Sequence, residues 1–554
     1  MIHRTYNIIK AGFALITLLL SFNSNAQNDT TKSTSVTIIS NYKPALISVA
    51  KINFSAAAYP SDTNKIIKPY FIPAQNLGIS YKPGTLKPLS IKRDLNEIKK
   101  ENFNYLKVGY GLLKTPFLDA GVSYNKLPNV YVNSFIDYIS SVGKIQNQKY
   151  SELNWKGMGN FQLNKNELST SIAYHRNQYY LYGYNHDSIS FDKKEISNLY
   201  QNINFNTSFK NTSANKLNIQ YQPSLFLNLF SANDSLKETN LNISLPAKLP
   251  IYKSLFFELE GRADFSFIKN EYLLKIDSSN YQNNIYNLKS ALQFDAKYIN
   301  VVAGVKTFYQ NNKLSIIPLL NLELPIAKKS IIIEAGINGE IIKNNYSNLV
   351  GTNPYLNLNQ KLLNTISRSY GGGFRTNISK NISCRINASL LQSDHYLFFI
   401  NDTSSVRSMN RFNLSSDEKI NNFRISGELQ YTLTNKLTIN SKMILNGYEG
   451  MKNNARAWNT LPFESISSLT WNPLKKLTIT SELYIFAVGH YLDYKNVDKS
   501  LSGGTDFNVG GSFKFNPHWR AFINVNNIFS QKYERWHNYP VYGLNGIGGF
   551  KVNF

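Results

Sequence analysis

Beyond Asn104, apolar and polar residues alternate nearly one for one over stretch after stretch, which is the period of a β-strand and not of a helix. Near the end of the chain Phe507, Val509, Gly511, Phe513 and Phe515 fall on one side, with Asn508, Gly510, Ser512 and Lys514 on the other. Trp519, Ala521, Ile523 and Val525 repeat the pattern opposite Arg520, Asn524 and Asn526, and the chain closes on Phe550-Lys551-Val552-Asn553-Phe554. Two of the clearest runs, Phe423 to Leu433 and Leu437 to Leu445, are joined only by Thr434-Asn435-Lys436.

Similar tight connections are predicted at Lys126-Leu127-Pro128, Asn164-Lys165-Asn166, Thr212-Ser213-Ala214, Leu249-Pro250, Ile299-Asn300, Lys328-Lys329, Ser379-Lys380-Asn381, Asn472-Pro473 and Asn516-Pro517. Between them the chain goes out and returns, mostly through longer polar segments at 178–197, 268–284, 343–366, 393–419, 446–461 and 490–504. Ten such turns, with two strands between neighbouring turns and two at each end, make about 22 strands. Short turns on one rim and long loops on the other predict an all-β fold: a transmembrane antiparallel β-barrel with short periplasmic turns and long extracellular loops.

The polar half of each strand decides where water lies. Glu258, Glu260, Arg262 and Asp264 alternate with Phe257, Leu259, Gly261, Ala263 and Phe265, and Glu334, Asn338 and Glu340 alternate with Ile333, Ala335, Ile337 and Ile341. Hydrocarbon rejects such charges, so these residues are expected to face a wet lumen and their neighbours lipid. Cys384, between Ile382 and Ile386, falls on the lipid side.

Before Asn104 the chain has a different character. Arg4 and Lys10, the apolar run from Ala11 to Phe22 and the small residues Ser24-Asn25-Ala26 form the layout of a secretory signal peptide over residues 1–26. That run is too short to span as a helix, and no later stretch approaches the ~18 apolar residues that a membrane helix needs. Residues 27–103 hold Pro44, Pro60, Pro69, Pro73, Pro83 and Pro88, which break ladders and long helices, so an extended N-terminal segment in the periplasm or lumen is expected. The barrel is assigned to 104–554.

Composition adds modest weight. The 36 Tyr and 33 Phe suit two interfacial girdles. A formal charge of +25 makes a field that attracts anionic partners such as the phosphates of lipopolysaccharide in an outer membrane; the competing reading is that Lys simply fills solvated positions. The Lys and Arg residues are spread among strands without a reading motif, so no nucleic-acid partner is expected. The histidines show no metal-ligand spacing, the single cysteine allows no internal disulfide, and no constellation for catalysis or cofactor binding stands out. Gly371-Gly372-Gly373 reads as wall, not as a phosphate cradle. Tyr179, Tyr180, Tyr182 and Tyr184 are candidate contacts for a ligand at a surface loop, as are Tyr396, Phe398 and Phe399. The competing reading places these rings in the interfacial girdle.

Val525-Asn526-Asn527-Ile528-Phe529-Ser530-Gln531-Lys532-Tyr533-Glu534-Arg535-Trp536 and the final strand from Gly543 to Phe554 resemble the closing strands of TonB-dependent receptors. The likeness is moderately specific over the last fifty residues and rests on pattern elsewhere. It implies a barrel of 22 strands, in agreement with the turn count. Phe550, Val552 and Phe554 resemble the C-terminal signal read by the barrel-assembly machinery. Val36-Thr37-Ile38-Ile39 resembles the short extended motif through which such receptors pair with TonB by strand addition. The chain departs from the family in one respect: family members carry a folded plug of well over a hundred residues, whereas about 77 separate Gln27 from Asn104 here. A wide barrel needs a filling, so the N-terminal segment, inward-folded loops, or a lipoprotein or other subunit is expected to close it. The resemblance implies uptake or binding of a ligand at the cell surface. The missing plug leaves a scaffold or accessory role open.

Overall fold

A computed structural model describes residues 104–554, apart from 128, 234, 274–279, 327–329, 405–406, 408–410 and 434–435. The expected signal peptide, the segment 27–103 and Val36–Ile39 lie outside the described residues. The described chain forms one closed antiparallel sheet of 24 segments. Two short segments, Gln220–Tyr221 and Asn280–Gln282, continue the strands Ser224–Ala232 and Ile285–Asp295 past an interruption, each pair lying along one neighbour. The barrel therefore has 22 strands.

Closure occurs where Tyr105–Gly111 pairs with Asn545–Asn553, Tyr105 opposite Asn553 and Gly111 opposite Ile547. The Phe554 amide donates to the Asn104 carbonyl at 3.0 Å, which seals the seam to the end of the chain. No edge remains, as a backbone in hydrocarbon requires. Side chains obey the alternation read from the sequence. Ile523, Phe550, Phe423, Ile425, Leu288 and Leu292 stand exposed on the outer wall, a continuous apolar surface that water would not tolerate and lipid would. Phe550 and Phe554 are on that wall.

The lumen side carries the charges in pairs. Glu258 lies 2.6 Å from Lys289 and 4.0 Å from Lys248. Arg375 bridges Glu323 at 3.0 Å and Glu334 at 3.1 Å, while Arg385 reaches Glu334 at 2.7 Å. Asp264 pairs with Lys343, and Asn338 accepts from Lys306 at 2.8 Å. Cys384 sits opposite Thr376 and Leu429 on the lipid side.

Ten connections form the periplasmic rim, as the turn count requires. Two of them are displaced from the predicted positions. Leu249-Pro250 lies inside the strand Leu236–Tyr252, and Asn472-Pro473 inside Phe463–Leu474; the chain reverses at 253–254 and 475–476. Both prolines sit where the register shifts, because a residue without an N–H fits a bulge beside a turn as well as the turn itself. On the outer rim the predicted loop 393–419 is mostly strand. Ile382–Asn401 and Phe412–Leu433, of 20 and 22 residues, rise well past the ~9–11 that cross a bilayer. Their upper halves stand in water, so Ser393, His395, Ser415 and Ser416 lack the apolar alternation that marks a lipid-facing strand. Some outer connections are also tight, notably 112–114, 233–235 and 311–312.

Candidate functional site

The outer mouth is where the chain departs from a plain cylinder. Loop 181–196 follows the fifth strand, Asn166–Tyr180; loop 343–364 follows the thirteenth, Ile331–Ile342; loop 527–544 follows the twenty-first, Trp519–Asn526. In a ring of 22 these roots are spaced about a third of the circumference apart. Strands ~4.8 Å apart and tilted ~40° make such a ring roughly 40 Å across. The three loops nevertheless meet. The rings of Tyr355 and Tyr539 stack at 3.5 Å and 11°, and Tyr182 stands edge-on to them at 6.2 and 4.9 Å. Side chains rooted so far apart can touch only over the lumen, so this trio spans the mouth.

The trio is a dry core. Tyr539 is 0% exposed, Tyr355 2% and Tyr182 5%. Burial pushes the Tyr182 hydroxyl up to about 12 and those of Tyr355 and Tyr539 well above the usual range, so all three stay neutral. The Tyr182 hydroxyl donates to the Pro540 carbonyl at 2.9 Å, and the Gln148 amide donates to the same oxygen at 3.0 Å. Beside the trio, Trp536 packs edge-on to Phe399 and Phe412 at 5.2 and 5.3 Å. Arg535 lies over the Trp536 ring at 4.2 Å and donates to the Asn459 carbonyl at 3.0 Å. Burial lowers its guanidinium to about 10, which leaves it charged at neutral pH.

Inward-facing wall residues hold the middle loop. The short helix Tyr346–Thr352 is capped by Asn345, whose side chain accepts from the Asn348 amide at 2.8 Å. Glu238 accepts from the Tyr346 amide at 2.7 Å, tying the helix start to the wall. Tyr200 and Asn198 both donate to the Pro354 carbonyl, at 2.8 and 3.0 Å, immediately before Tyr355. Asn270 donates to the Leu358 carbonyl at 2.6 Å. The position of Tyr355 over the lumen thus follows from polar wall residues as much as from the rings it meets.

The four tyrosines picked out in the sequence have four different surroundings. Tyr179 is a strand residue, buried toward the lumen, with its hydroxyl on Glu152 at 2.7 Å. Tyr180 points the other way, under the Lys149 ammonium at 4.0 Å. Tyr182 belongs to the trio. Tyr184 lies farther out, half-buried against Phe191 and His186. Tyr396 and Phe398 form a separate cluster with Tyr448, and Phe399 joins Trp536. Sequence reasoning passed over Tyr355 and Tyr539, and met Trp536 only as part of the closing-strand likeness. Pro354-Tyr355 and Tyr539-Pro540, each an aromatic beside a proline in an otherwise polar loop, were the available signal. Among the described residues, no group of three His, Cys, Asp or Glu is placed to hold a metal ion.

A closed 22-strand cylinder, apolar outside and charged within, with loops folded over one mouth, defines a large β-barrel of the outer membrane. Among solved structures, the barrel is similar to the siderophore receptor PirA from Pseudomonas aeruginosa, with a TM-score of 0.58 and 12% identity over 82% of both chains. It is also similar to the FrpB iron transporter from Neisseria meningitidis, with 0.62 and 11% over 81% of both chains. The ferric enterobactin receptor PfeA from Pseudomonas aeruginosa scores 0.59 with 12% identity over 81% of both chains. No protein-family model matches the sequence, and no curated protein matches it.

Proposed function

We propose that this protein is a surface receptor that binds a ligand at the outer mouth and passes it inward through the barrel, with TonB engaging Val36–Ile39 to energise the step. The observation that carries this reading is the meeting of three distant loops over the lumen of a barrel built like those of iron and siderophore receptors. The outer loops carry Arg407 over the Phe191 ring and paired with Glu195, Arg411 on the Glu195 carbonyl and Lys361 over the Tyr281 ring, without a set of metal ligands among the described residues. That chemistry suits an anionic, ring-bearing chelate that carries its own metal, with Tyr184 the tyrosine on the outer loop and Tyr179 and Tyr182 holding that loop behind it, while Tyr180 faces the outer wall. The test is uptake of radiolabelled ferric chelates by cells that rely on this protein. Deleting residues 33–41 abolishes uptake while surface binding persists; unchanged uptake overturns the energised step.

A second reading is a scaffold or accessory subunit closed by a lipoprotein or other partner. It draws on the short stretch between Gln27 and the first strand. Purification in mild detergent separates the two, since a stoichiometric partner favours the scaffold and an isolated chain the receptor.

A further inference from the structure

Near the outer rim, one sector of the barrel's outward face carries a run of cations across neighbouring strands. Five residues on consecutive strands lie directly across from one another there: Arg176 opposite Gln201, Gln201 opposite Ser231, Ser231 opposite Lys237, and Lys237 opposite Lys269. Their neighbours along each strand, including Glu238, Asn270 and Ile268, are buried toward the lumen, so this row faces outward. Two residues toward the periplasm on the same strands come Tyr174, Ile203, Leu229, Thr239 and Phe267, of which Ile203, Leu229 and Phe267 are exposed apolar wall. The cations therefore begin where the hydrocarbon ends.

The row is electrostatically incomplete. Lys237 and Lys269 are direct cross-strand neighbours, ~5 Å apart on one face, an arrangement that costs stability unless an anion offsets it. Glu271 lies 3.0 Å from Lys269 and offsets that charge alone. Among the described residues Lys237 and Arg176 have no carboxylate partner. Lys149 adds a fourth cation on the same side, lying over Tyr180 at 4.0 Å. Elsewhere on the outer wall Arg368 is paired with Asp394 at 2.9 Å, and Lys419 lies across from the same carboxylate.

We propose that Arg176, Lys237 and Lys269 bind the phosphorylated headgroup of an outer-leaflet glycolipid whose acyl chains lie along Ile203, Leu229 and Phe267. A free phosphate would satisfy the cations but not the wall beneath them, and a lipid without phosphate would satisfy the wall but not the cations. The site pins one lipid to one sector and orients the barrel's upper strands in the leaflet.

The test uses the full chain in non-ionic detergent, with diphosphoryl lipid A as the probe and thermal unfolding of the barrel as the readout. Saturable stabilisation is expected, with half-saturation shifted about 100-fold in the Arg176→Gln/Lys237→Gln/Lys269→Gln variant, at roughly fivefold per cation. Arg368→Gln leaves it unchanged. Lys237→Gln alone gives a sign that a merely structural role would not: it raises the unfolding temperature without lipid, by relieving the like-charge pair, and shrinks the rise on adding lipid A. It also carries the test if the triple variant fails to assemble. Equal stabilisation by dephosphorylated lipid A, by phosphatidylglycerol or by inorganic phosphate overturns the proposal, as does a triple variant that binds like the parent.

Discussion

Tyr539→Ala is the sharpest perturbation of the loop assembly, because Tyr539 has no exposed surface and touches both other members of the trio. Replacing a fully buried aromatic with alanine costs about 3–5 kcal/mol, of which its ring pairs supply roughly 1–3. The loss falls on the loop assembly and not on the barrel ladder, since none of the three loops contributes a strand to the closed sheet. Taking ~4 kcal/mol, the equilibrium between closed and opened loops shifts about 10³-fold. Amide hydrogen exchange reads that shift directly, because protected loop amides exchange through local opening. In the variant, amides of 181–196 and 343–364 should exchange about 10³-fold faster, while those of Leu255–Asn270 and Phe412–Leu433 stay as in the parent. Acceleration confined to 527–544 would refute the reasoning, because the loops would then be closed independently and the trio would be a contact without consequence.

Further outcomes follow from the wall and the rim. Glu334→Gln removes the carboxylate between Arg375 and Arg385, leaving Glu323 on Arg375 and no carboxylate paired with Arg385 among the described residues, and should cost about 1–3 kcal/mol; a lower temperature of conversion to the unfolded gel mobility measures it. A Cβ on Gly549 would fall against the Val108 carbonyl at the closing seam, so Gly549→Val should leave little barrel with folded gel mobility. Asp493 is held down to about 2, chiefly by a hydrogen bond from Lys499 at 2.9 Å and by the Val497 amide. A depressed carboxyl contributes above its unfolded value, ~3.9, and loses that contribution as pH falls through its folded one. The hairpin of His490–Leu492 and Asp498–Ser500 should accordingly keep its exchange protection down to pH ~4 and lose it between ~4 and ~2, and Asp493→Asn should remove that dependence.

The barrel itself was legible in the chain because its two solvents write on alternate residues. Glu258, Glu260 and Asp264 could not face lipid and Phe257, Leu259 and Phe265 had no need of water, so period, strand number and sidedness followed locally. The same physics explains the lapses: above the bilayer both faces of a strand meet water, and Ser393 to Lys419 looked like a loop although most of it pairs. Pro250 and Pro473 marked bulges beside turns, which a proline alone does not distinguish from the turns themselves. What the tertiary structure decided was which distant residues meet. Tyr182, Tyr355 and Tyr539 are separated by 173 and 184 positions and carry no shared period. Arg176, Lys237 and Lys269 likewise join only through the register of five strands. Alternation is a property of neighbours along the chain, whereas contact across a mouth or a wall depends on how a closed ring brings its staves around, and only the folded ring holds that information.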